Sequence, residues 1–86
     1  MSNKLQGQVK VHEEPALTAV VEISNSQGDI VDQVQVDAAG RYTYHLSSGD
    51  WSLRVWDAHG HRGDATVTVD GDTTLNFDLH EPEGGH

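Results

Sequence analysis

The chain contains no cysteine. No disulfide can brace it, and thiolate ligands for zinc or iron–sulfur clusters are excluded. No apolar run approaches the length of a membrane-spanning helix, so membrane insertion of that kind is not expected. Met1 is followed by the polar Ser2, Asn3 and Lys4, and no secretory leader is expected either. That reading makes the protein in the cytoplasm, to work there or to leave within an exported assembly such as a virion. Basic residues are scarce: five Lys and Arg stand against 14 Asp and Glu, for a formal charge of -9. Lys4, Lys10, Arg41, Arg54 and Arg62 are scattered and form no stripe. A field of that sign repels nucleic acid and anionic lipid, so no nucleic-acid partner is expected. It favours solubility and a basic partner surface.

What the sequence does contain is alternation. No segment carries a 3.6-residue apolar period, whereas turn signals recur about every ten residues, the spacing of a sandwich or barrel. Seven strands are predicted, at residues 4–12, 17–24, 30–36, 41–46, 51–57, 64–69 and 73–79. Leu5, Gly7, Val9 and Val11 share one face of the first, and Leu17, Ala19, Val21 and Ile23 one face of the second. Ile30 and Val31 are adjacent, so only one can face inward, and a bulge fits there. Trp51, Leu53 and Val55 point into the core. Each strand therefore turns one face to the core and one to water, which favours two antiparallel sheets packed face to face. Residues 1–79 make a single all-β domain and residues 80–86 a flexible acidic tail.

The order of these signals resembles the carboxypeptidase regulatory-like domain, one of the transthyretin (prealbumin)-like sandwiches. Gly7-Gln8-Val9 is similar to that family's opening Gly-x-Val strand. Asp37-Ala38-Ala39-Gly40-Arg41-Tyr42 resembles its Asp-x-x-Gly-x-Tyr turn and strand. Leu46 and Gly49-Asp50-Trp51 look like its Leu-x-x-Gly-x-Tyr segment with Trp in place of Tyr, and Gly60-His61 stands where the family has Gly-Tyr. The likeness covers residues 5–79 and implies a seven-stranded antiparallel Greek-key sandwich of transthyretin type. Gly7, Gly40, Tyr42, Gly49 and Trp51 would define that fold. It also implies an accessory module with no catalytic residues to carry over.

Candidate chemistry is sparse. His59 and His61, flanked by Asp57 and Asp64, are imidazoles and carboxylates that could hold zinc, nickel or copper. The plainer reading is a polar surface loop with His61 half-packed. His12, His45, His80 and His86 are dispersed along the chain. Arg62-Gly63-Asp64 spells an adhesion tripeptide and Asp70-Gly71-Asp72 hints at calcium, but a strand start and a hairpin turn explain both. No nucleophile elbow surrounds Ser47, Ser48 or Ser52. The chain also lacks the closing Tyr-Arg-Gly-Ser that marks the 5-hydroxyisourate hydrolases of the same fold. A core this small leaves little room for a deep cleft. No catalysis and no cofactor are therefore expected.

Apolar residues on the solvent face are more informative. Trp56 alternates with Val55 and points outward, as do Val20 and, by this reading, Val31. An outward Trp is an interface anchor of the kind that dominates docking surfaces. The expected function is a non-catalytic structural module that joins a protein partner, a larger assembly or further copies of itself, with phage capsid decoration or a tail accessory as the favoured setting. The alternatives are an accessory module for carbohydrate or metal, with Trp56 and Tyr44 as sugar-stacking faces, and an excised domain of a larger surface protein.

Overall fold

The computed structural model describes residues 3–79, which fold as two β-sheets with no helix among them. The predicted tail at residues 80–86 lies outside the described residues. Nine strands form where seven were expected: β1 (Asn3–Val11), β2 (Glu14–Pro15), β3 (Val20–Asn25), β4 (Ile30–Gln35), β5 (Arg41–Leu46), β6 (Gly49–Trp56), β7 (Arg62–Val69), β8 (Thr73–Thr74) and β9 (Phe77–Leu79). The two extra strands have local causes. His12 and Glu13, with φ of 53° and 68°, reverse the chain so that Glu14 and Pro15 pair back onto Val11 and Lys10. The last predicted strand is split at Leu75 and Asn76, where the Asn76 side chain takes the Gln8 N–H at 2.9 Å in place of a backbone carbonyl.

One sheet is the antiparallel ladder β4-β3-β6-β7. The other is centred on β1, with β5 and β2 antiparallel to it and β8 and β9 parallel to it. An all-antiparallel sandwich is thus corrected to one antiparallel and one mixed sheet. The cause is topological. β7 carries the chain back to the end where β1 starts, so the strand that follows must run the same way as β1.

The core lies between the sheets. Leu5 and Val9 of β1 face Val21 and Ile23 of β3, Leu53 and Val55 of β6 and Val69 of β7, all essentially without solvent contact. Trp51 shares the core face of β6 but sits at its open end, half-buried, with Nε1 donating to the Ser47 carbonyl at 3.0 Å. Leu17 is corrected: it is 56% exposed, and Ala16 is buried in its stead. The cause is a tight turn, closed by the Ala19 N–H on the Ala16 carbonyl, that delays β3 to Val20. The expectation for Ile30 and Val31 is corrected as well, since both are exposed. The predicted bulge is present, a register shift opposite Ile23 and Ser24.

Three of the turns are built alike. Asn25, Asp37 and Asp57 each take a glycine N–H three residues on and donate their own N–H to the carbonyl four residues on. In each, one side-chain oxygen accepts the N–H groups two and four residues ahead, at 2.8–3.0 Å. The glycine, Gly28, Gly40 or Gly60, holds the positive φ this turn requires. The Arg41 and then the Ala39 backbone N–H hold the Asp37 carboxyl below its ordinary 3.8. A depressed carboxylate stabilises the fold above that value and loses the contribution as pH falls below it. Asp37→Asn keeps the accepting oxygen, as Asn25 does, but cannot titrate. It is expected to leave the thermal midpoint at neutral pH nearly unchanged and to lose less stability than wild type on acidification, as followed by circular dichroism.

Candidate functional site

Two adjoining features share one end of the sandwich, where β1, β4 and β6 finish and β3 and β7 begin. The first is the corner of the outer face of the four-stranded sheet. The register sets Gln35, Val20, Trp56 and Arg62 side by side in one row and Gln33, Glu22, Arg54 and Asp64 in the next. Trp56 is outward, as its parity with the buried Val55 requires, and is only half-buried between Val20 and Arg62. Glu22 is nearly buried and accepts the Gln33 side-chain amide at 3.0 Å. Farther along the face the side chains become short. Ser24, Ser52 and Thr66, with Arg54 and Asp64, line an open hollow of about 400 Å³.

Val20 and Trp56 are therefore brought together as cross-strand neighbours. Val31 is not. It is exposed at the bulge of the edge strand β4, toward the opposite end of the sheet. Tyr44 does not join Trp56 either. It lies half-buried against the core, and its hydroxyl donates to Asp32 on β4 at 3.0 Å.

The second feature is the β6–β7 turn. One oxygen of Asp57 serves the turn by accepting the His59 and His61 N–H groups. The other lies 2.7 Å from His61 Nδ1, with the carboxylate buried and the imidazole mostly so. Burial pushes the Asp57 carboxyl up, but the backbone and imidazole bonds from His61 and the backbone bond from His59 outweigh it and hold the group below its ordinary value. Around His61 stand two further imidazoles. His12 meets it edge to face at 5.8 Å between ring centroids, and His59 lies at 6.2 Å. Asp64, expected to flank this group, is instead on the sheet face opposite Arg54. His12 was missed because it arrives from the distant β1–β2 turn, and no local spacing in the sequence signals that approach. As the rings stand, no three potential metal ligands among the described residues converge on one point.

A family model, DUF1416, described as a protein of unknown function, matches residues 2–80. The chain belongs to the DUF1416 family. No curated protein matches it. Among solved structures, the 5-hydroxyisourate hydrolase of Klebsiella pneumoniae is 18% identical with a TM-score of 0.73, over 95% of the DUF1416 chain and 93% of its own. A DUF3823 family protein from Parabacteroides merdae is 19% identical with a TM-score of 0.70, over 93% of this chain and 46% of its own. The Bacillus anthracis TIE protein is 21% identical with a TM-score of 0.74, over 91% of this chain and 16% of its own. The DUF1416 chain thus spans less than half of that DUF3823 protein. At these identities the likeness shows the fold, a transthyretin-like all-β sandwich. It also corrects one expectation. A hydrolase wears this fold over nearly its whole length, so neither the small core nor the sandwich architecture excludes an enzyme. The fold by itself assigns this chain no activity.

Proposed function

We propose that this domain docks onto a protein partner through the outer corner of its four-stranded sheet. The observation that carries the reading is Trp56. A large aromatic is held by its strand parity on the solvent side of the sheet, half-buried beside Val20. Rigid aromatics with a polar rim are what interface anchors are made of, and here Gln35, Arg62, Arg54 and Asp64 supply the rim. The formal charge of -9 points to a partner with a basic surface, whose approach it would steer. A virion or another large assembly is the setting this reading favours. The closer kinship to carboxypeptidase regulatory-like domains, with their Greek-key strand order, belongs to the same proposal and rests on the Asp37 to Tyr42 turn and strand.

The test is sedimentation of a native lysate. Wild-type chain is expected with particles far heavier than 9.4 kDa. Trp56→Ala is expected to move to the top of the gradient while unfolding as cooperatively as wild type. Wild-type chain that stays at the top, or a Trp56→Ala variant that sediments unchanged, would sink the reading.

A further inference from the structure

We propose that His61, His12 and His59 form a binding site for a divalent transition-metal ion of the zinc, copper or nickel class, with Asp57 as the residue that positions His61. This site is separate from the Trp56 corner and does not depend on the docking reading.

The turn at Asp57 occurs twice more, at Asn25 and Asp37, with the same backbone bonds and the same single side-chain oxygen accepting two N–H groups. Asn25 shows that a carboxylate is not needed for it. The second oxygen of Asp57 is therefore surplus to the turn, and it holds His61 Nδ1 at 2.7 Å. A carboxylate on one ring nitrogen fixes the tautomer and the ring plane and leaves Nε2 as the donor. This is the usual support of a metal-bound histidine. Both other imidazoles stand about that ring, at 5.8 and 6.2 Å between centroids.

The β1–β2 turn brings His12 to this ring from a distant part of the chain. Among the described residues, His12 and Glu13 are the two non-glycine residues with positive φ, at 53° and 68°, as the two-residue reversal between Val11 and Glu14 requires. Neutral imidazoles suit zinc, copper and nickel rather than calcium or magnesium, and the acidic chain raises the local concentration of cations. His12 and His59 are exposed, so the site assembles by rotation of two surface rings about a fixed one.

The experiment is titration with Zn²⁺ alone, read by calorimetry and by competition with a chromogenic indicator, on the full chain carrying His80→Ala and His86→Ala. Those changes remove the two histidines beyond residue 79. One equivalent of Zn²⁺ is expected to bind. His61→Ala should abolish binding, and the surface changes His12→Ala and His59→Ala should each weaken it. Asp57→Asn should lower affinity by about 10- to 100-fold while the thermal midpoint of the metal-free protein shifts little. A purely structural carboxylate would give the reverse pattern. Absence of binding in the His80→Ala, His86→Ala chain, or binding indifferent to His61→Ala or to His12→Ala, overturns the proposal.

Discussion

Gly7→Ala is expected to be the most damaging single methyl that can be added to this protein. A Cβ built at Gly7 would stand 1.7 Å from the Leu75 carbonyl oxygen and 2.6 Å from its carbon. Gly7 does not need the left-handed backbone. It is glycine because the Leu75 peptide, in the link between β8 and β9, leans over β1 at this point. That peptide is fastened twice, by the Leu75 N–H on the Gln6 carbonyl at 2.8 Å and by the Tyr42 hydroxyl on the Leu75 carbonyl. No side-chain rotation relieves a clash with backbone, so the link must lift. Lifting it breaks those bonds and loosens Phe77 and Leu79, both buried.

The expected cost is about 4 kcal/mol, at the upper end of what single substitutions do. A domain of this length has on the order of 4–13 kcal/mol to lose. The variant should therefore be unfolded or melt roughly 15 °C or more below wild type. Gly28→Ala is the control. Its φ is 87°, but a Cβ there meets nothing within 4 Å, so only the backbone strain of about 1–2 kcal/mol remains. Urea unfolding of the two side by side decides the matter. A Gly7→Ala protein as stable as Gly28→Ala would mean that the link does not lie on β1 as described.

Much of this architecture is legible in the residues, and the reasons for the gaps are physical. The strand at Arg41 to Leu46 is bounded by an Asp-x-x-Gly turn and alternates cleanly, so its limits follow residue by residue. The outward direction of Trp56 follows from parity alone. Leu17 misleads because Leu17, Ala19, Val21 and Ile23 keep a period of two straight through a turn that periodicity cannot see. The parallel pairing of β8 and β9 is hidden for a similar reason, since parallel and antiparallel strands alternate alike. At the histidine cluster the sequence shows His59 and His61 but not His12, which only the β1–β2 reversal brings near. The three related turns were written in the chain as Asn25 to Gly28, Asp37 to Gly40 and Asp57 to Gly60. Only their shared hydrogen bonds reveal that the second oxygen of Asp57 has a different use.

Tyr42 carries the second large effect, because it meets the same Leu75 peptide from the β5 side. It is cross-strand partner to Gly7, and its ring edge lies 3.0 Å from where a Gly7 Cβ would be. The ring is 2% exposed, packs against Phe77 at 6.2 Å, and reaches Leu75 with its hydroxyl. Burial pushes its phenol well above the ordinary tyrosine range, so it stays protonated and able to donate. Tyr42→Ala is expected to cost about 3–5 kcal/mol through the cavity it leaves. Tyr42→Phe keeps the ring and removes one donor from a part-buried carbonyl, for about 1–3 kcal/mol. Combining the two sites separates their roles. If the obstacle at Gly7 were the ring, Tyr42→Ala would restore stability to Gly7→Ala. Because the nearer obstacle is the Leu75 backbone, the double variant is expected to be less stable than either single one in urea unfolding. Rescue in that experiment would assign the need for glycine to the tyrosine instead.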